Sequence, residues 1–118
     1  MKNLVKIFKT IRPFNKSIQI EGDKSLSIRW ALIASQAEGK SRSSNLLRSE
    51  DVLNTLECLK KLGVKIKLSK NYCIIYGKGL NKFKYKKKIT LNAGNSGTLG
   101  RLLMGLLVHS KSLIKIKG

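Results

Sequence analysis

A chain of 118 residues with 42% hydrophobic residues is long enough to bury one modest core. Its 25 Lys and Arg against 6 Asp and Glu give a net charge of +19, enough to attract phosphates across a Debye length or more. No stretch approaches the roughly 18 apolar residues of a membrane span. Met1 leads into the mixed polar Lys2-Asn3-Leu4-Val5-Lys6 rather than an export signal, so a cytoplasmic protein is expected.

In chain order, residues 1–21 hold two short alternating segments, Val5-Lys6-Ile7-Phe8 and Ser17-Ile18-Gln19-Ile20, parted by Arg12-Pro13-Phe14-Asn15 and read as leading strands. A helix follows from Lys24 to Ala37. Its apolar positions Leu26, Trp30, Ile33, Ala34 and Ala37 predict one buried face, and Gly39 predicts a left-handed cap. Ser41–Leu47 is assigned to a short strand. Ser49 then supplies an N-cap and Glu50 and Asp51 an acidic first turn, with Val52, Leu53, Leu56, Leu59 and Leu62 as the apolar stripe up to Gly63. Val64–Leu68 and Tyr72–Tyr76 flank the turn Ser69-Lys70-Asn71 as a hairpin that Gly77 and Gly79 end.

The run Lys82-Phe83-Lys84-Tyr85-Lys86-Lys87-Lys88 reads as a solvated loop, with a base-stacking charged strand as the alternative. Lysine elsewhere is spread along the chain, and Asn and Ile are plentiful too, a bias that base composition can produce. Nucleic acid is therefore set aside as the expected partner. After the loop come a strand at Ile89-Thr90-Leu91, a third helix with the core face Leu99, Leu102, Leu103, Leu106 and Leu107, and an alternating final segment, Ser112–Lys117.

Chemistry concentrates in two glycine-led turns. In Gly22-Asp23-Lys24-Ser25-Leu26-Ser27-Ile28-Arg29-Trp30-Ala31, Lys24 and Ser25 fall in the first helical turn beside unpaired backbone N–H groups, and Arg29 rises from the same side one turn later. Such a cluster can hold a phosphate or carboxylate. An ordinary capped helix with two solvated cations fits the spacing equally well. An offset of 72 residues lays Gly22 on Gly94, Asp23 on Asn95 and Arg29 on Arg101. This suggests a β-α-β-α-β-β unit of about 70 residues that starts over near Lys88, with residues 22–79 as the first unit and 88–118 as the start of a second. Cys58 and Cys73 lack metal-type spacing. His109, near the end of the third helix, has no carboxylate or nucleophile at useful spacing.

The run GDKSLSIRWALIASQAEGKSRSSNLL resembles the N-terminal signature G-[SD]-K-S-x-S-x-R-A of the 5-enolpyruvylshikimate-3-phosphate (EPSP) synthase family. Asn92-Ala93-Gly94-Asn95-Ser96-Gly97-Thr98-Leu99-Gly100-Arg101 is similar to that family's G-N-[AS]-G-T-x-x-R. Glu21 and Ile28 depart from the pattern, which commonly has proline and a polar residue there.

The resemblance implies an α/β fold of repeated β-α-β-α-β-β units with helices packed inward, one unit and part of a second being present. It implies transfer of the enolpyruvyl group of phosphoenolpyruvate to shikimate 3-phosphate, without cofactor or metal, by an enzyme that is a monomer when complete. On it, Lys24, Ser25 and Arg29 would hold shikimate 3-phosphate, and Lys24, Asn95 and Gly97 the phosphoenolpyruvate, while Arg101 is read first as structural support and Thr98 equally as a capping hydroxyl, also structural support, or a ligand. The resembled enzymes are several times longer, so the chain is expected to be an N-terminal fragment, inactive alone, with the proton-transfer carboxylates beyond Gly118. The related UDP-sugar enolpyruvyl transferases are the second choice, disfavoured because they typically carry asparagine at the position of Ser25 and a cysteine on a mobile loop.

Overall fold

The computed structural model describes residues 21–118 throughout, and before them only residues 6, 8–10, 13 and 15. The expected leading strands fall largely outside the described residues. From Lys24 the chain runs α1 (Lys24–Gln36), β1 (Glu38–Ser43), α2 (Glu50–Lys61), β2 (Lys65–Leu68), β3 (Cys73–Lys78), β4 (Lys88–Asn92), α3 (Gly97–Leu106) and β5 (Leu113–Lys117). β3 lies between β1 and β2 and is antiparallel to both, whereas β4 and β5 pair in parallel through the α3 crossover. Among the described residues, no helix is long and apolar enough to cross a membrane.

α2 forms where its pattern says it should. Glu50 and Asp51 sit at the positive end of the helix dipole, Lys60 and Lys61 at the negative end. Val52, Leu56, Leu59 and Leu62 are buried, while Leu53 lies toward the solvent side. α3 likewise buries Leu99, Leu103 and Leu107 and keeps Leu102 and Leu106 half-buried against the core. α1 and α2 pack on each other, and α1 lies along β3. Ile28, Leu56, Leu59, Leu62, Ile75, Leu91, Leu99 and Leu103 form the dry centre.

α1 corrects the expected face. Leu26 and Ile33 are exposed, at 68% and 71%, and the buried side is Ser27, Ile28, Ala31, Leu32, Ala34 and Ser35. Ile28 and Leu32 carry the apolar burial on a stripe offset from the expected one, and the small residues beside them let the helix come close to the sheet. A Cβ at Gly77 of β3 would stand 2.5 Å from the Ala34 carbonyl oxygen and 2.1 Å from that of Ala37, so backbone rests on backbone. Both buried serines of α1 are satisfied: Ser35 Oγ donates to Leu32 O at 2.6 Å within the helix, and Ser27 Oγ accepts from Leu47 N at 3.1 Å across the chain. Ile28, which departs from the family pattern, is wholly buried.

Three boundaries also shift. α1 closes on Ala37, extended at φ −71°, whose N–H reaches Ile33 O; Gly39 has φ +91° but lies within β1 opposite Gly77, and is no helix cap. The strand expected at Ser41–Leu47 runs earlier, Glu38–Ser43, because it pairs with β3 from Glu38 opposite Lys78 to Ser43 opposite Cys73. The hairpin is present, but β3 continues through Gly77 to Lys78, since the missing side chain admits the end of α1.

Candidate functional site

Asp23 caps α1 by accepting Leu26 N at 2.7 Å, which leaves Lys24 and Ser25 as the opening helical residues. Arg29 donates Nη1–H to the Ser25 carbonyl at 3.2 Å, so Ser25 and Arg29 meet on one side of the helix as their i, i+4 spacing predicts. Lys24 is not a loose cation. Its Nζ stands 3.0 Å from Oδ2 of Asp51, a carboxylate only 17% exposed in the first turn of α2. That partner was missed in the sequence because nothing local links residues 24 and 51; only the packing of α1 on α2 brings them together.

The second turn is built on the same plan with different atoms. Asn92 Oδ1 accepts Gly94 N at 3.0 Å, and Gly94 takes φ +56°. Ser96, nearly buried, caps α3 by accepting Leu99 N at 3.2 Å. The cap is therefore Ser96, and Thr98, offered above as a capping hydroxyl, sits half-buried beyond it. Asn95 and Gly97 are exposed. Arg101 donates Nε–H to the Gly97 carbonyl at 3.1 Å, the bracing expected of it. Arg29 on Ser25 and Arg101 on Gly97 are the same i to i−4 contact, 72 residues apart.

The two arginines meet in one concavity. A groove of about 570 Å³ between α1 and α3 is lined by Arg29, Leu32, Ile33 and Gln36 on one wall and Arg101, Leu102, Gly105 and Leu106 on the other. Among the described residues neither guanidinium has a carboxylate partner. The remaining candidates do not share this groove. Gly22 and Asp23 line a separate hollow with Trp30 and Asn45, and Asn95 and Gly97 line another with Ile116 and Lys117. His109 is exposed past the end of α3. In the 82–88 loop the rings of Phe83 and Tyr85 pack against the core, so that run is no stacking surface.

Helix starts that present cations and free N–H groups are suited to binding small anions. The model of the EPSP synthase (3-phosphoshikimate 1-carboxyvinyltransferase) family matches residues 8–118, and the chain belongs to that family. It is 47% identical over 95 residues to the 3-phosphoshikimate 1-carboxyvinyltransferase of Bacillus cytotoxicus, covering 80% of this chain and 22% of that protein. With its Oenococcus oeni counterpart it shares 48% identity over 107 residues, covering 91% of this chain and 24% of that one. The solved EPSP synthase of Acinetobacter baumannii superposes with a TM-score of 0.74 at 35% identity, over 84% of this chain and 23% of that structure. The chain thus spans about a quarter of the length of the curated relatives it matches.

Proposed function

We propose that this chain supplies one wall of an enolpyruvyl transferase site, at which the 5-hydroxyl of shikimate 3-phosphate adds to C2 of phosphoenolpyruvate and phosphate then leaves. The observation that carries the reading is the groove between α1 and α3, where Arg29 and Arg101 stand without carboxylate partners at the ends that bear the two family signatures. Lys24, Ser25 and Arg29 hold shikimate 3-phosphate. Lys24, with Asn95 and the exposed backbone of Gly97, holds phosphoenolpyruvate.

Both substrates are polyanions that repel each other, so the first requirement is fixed positive charge, already oriented before they arrive. Asp51 meets part of it by tethering the flexible Lys24 ammonium, which as a compact charge with three donors can touch two anions at once. Addition takes a proton to C3 of phosphoenolpyruvate and one from the hydroxyl; elimination returns the C3 proton as the C–O bond to phosphate breaks. Those transfers belong to groups on the remainder of the family's length. Residues 22–79 are read as the first repeat unit and 88–118 as the start of a second, a division supported by the separate sheets β1-β3-β2 and β4-β5. Two buried free thiols, Cys58 and Cys73, suit a reducing, cytoplasmic setting.

Titration of the 118-residue chain with shikimate 3-phosphate, followed by amide chemical shifts, tests the reading. Shifts centred on residues 23–29 that vanish in Lys24→Ala and Arg29→Ala support it, and shifts unchanged by both substitutions overturn it. Asp51→Asn is expected to weaken binding up to about fivefold, the value of an ion pair of up to roughly 1 kcal/mol with one exposed partner. Phosphate release by the chain alone is expected to be nil.

A further inference from the structure

The outward face of the three-stranded sheet takes no part in that site. Lys40 and Lys65 both stand opposite Tyr76, and Arg42 and Lys67 both stand opposite Ile74, so alternation puts all six on one side. The other side carries Cys73 and Ile75, wholly buried. The face is thus two rows, Lys40-Tyr76-Lys65 and Arg42-Ile74-Lys67, roughly 7 Å apart along the strands, comparable to the step between phosphates of an extended nucleotide strand.

The rings are placed among the cations. Lys65 Nζ lies 5.2 Å from the centroid of Tyr76, while Arg42 Cζ and Lys67 Nζ lie 4.7 Å and 6.0 Å from that of Tyr72, just before β3. Arg48 fixes the β2–β3 turn beside them by donating to the carbonyls of Ser69 and Lys70. The strands of this sheet carry one acid, Glu38, at the far edge and paired with Lys82 at 3.1 Å. Among the described residues, then, Lys40, Arg42, Lys65 and Lys67 have no carboxylate partner. Four like charges on one narrow sheet repel one another, and a polyanion laid across them relieves that repulsion.

We propose that this face binds single-stranded nucleic acid, with phosphates against Lys40, Arg42, Lys65 and Lys67 and unpaired bases against Tyr72 and Tyr76. A duplex keeps its bases stacked inside and would leave the rings unused. An anionic membrane surface would meet the charge but draws its grip from apolar side chains that insert, and the one aliphatic residue in these rows, Ile74, is 8% exposed. The charge bias that pointed nowhere in the sequence acquires a direction once the strands are paired.

The test is fluorescence anisotropy of the 118-residue chain with a labelled twelve-nucleotide single strand, the matching duplex, and phosphatidylserine vesicles. The single strand is expected to bind tightest, with log K falling by about 3 per decade of salt for four contacts. Replacing Lys40, Arg42, Lys65 and Lys67 by Ser is expected to remove that slope and weaken binding more than tenfold. Replacing Lys84, Lys86 and Lys87 of the loop and Lys88 at the start of β4 by Ser removes the same charge and is expected to cost under threefold. Tyr72→Leu and Tyr76→Leu, which leave the charge intact, are each expected to weaken the single strand by roughly fivefold or more and the duplex not at all. Equal losses from the two fourfold variants, indifference to both tyrosines, or preference for duplex or vesicles each overturns the proposal. Circular dichroism of every variant separates lost binding from lost fold.

Discussion

Gly22→Ala asks whether the first signature turn is glycine for the ligand's sake or for the fold's. A Cβ there would stand 2.2 Å from the Asn45 carbonyl oxygen and 2.8 Å from Leu47 N, both backbone atoms that cannot rotate away. Relief requires the 45–47 segment to move, and Leu47 N is the donor to buried Ser27 Oγ at 3.1 Å. Overpacking of this kind costs about 1–3 kcal/mol, and the lost hydrogen bond roughly another 1 kcal/mol. A total of about 3 kcal/mol corresponds to a drop in Tm of roughly 12 °C at this chain length. Thermal and urea unfolding of the parent and the variant, followed by circular dichroism, read it directly. A variant that unfolds within about 2 °C of the parent would refute the close packing of this turn.

Gly97→Ala is the contrasting case. Its Cβ would meet only the far end of Arg101, Nη2 at 3.3 Å, so urea unfolding is expected to show a change between zero and about 1 kcal/mol of added stability, while phosphoenolpyruvate binding weakens. For α1, Ile28→Ala is expected to cost about 2–5 kcal/mol and Ile33→Ala under about 0.5 kcal/mol; the reverse order in the same assay would restore the face first expected. Burial pushes the thiols of Cys58 and Cys73 above their ordinary value of 9.0. The folded chain therefore holds these protons more tightly than the unfolded one, so their stabilisation is whole below pH 9.0 and is lost as pH rises through the folded values. Urea midpoints should fall above that pH in the parent, and less in a Cys58→Ala, Cys73→Ala variant.

Elements whose burial rests on large side chains at regular spacing were legible in the sequence. α2 and α3 appear where Leu56, Leu59, Leu99 and Leu103 placed them, and the hairpin where its turn residues placed it. α1 was legible in extent but not in orientation, because the exposed Leu26 and Ile33 carry as strong an apolar signal as the buried Ile28 and Leu32, and the small Ser27, Ala31, Ala34 and Ser35 that complete the buried face carry little. The contact of Arg29 on Ser25 was visible from spacing alone, since i, i+4 geometry is local. The Lys24–Asp51 pair and the shared groove of Arg29 and Arg101 were not, because they exist only after helices distant in sequence have packed.

The parallel pairing of β4 with β5 bears on the order in which the chain assembles. β2 and β3 are joined by four residues, 69–72, whereas β4 and β5 meet only across twenty, 93–112. Bringing the ends of the longer segment together costs about 1.4 kcal/mol more in chain entropy. No local contact offsets that until α3 has settled its leucines on the core. The antiparallel half can therefore zip early, with β5 added as a late step, its amides the first to exchange with solvent whenever the native state breathes.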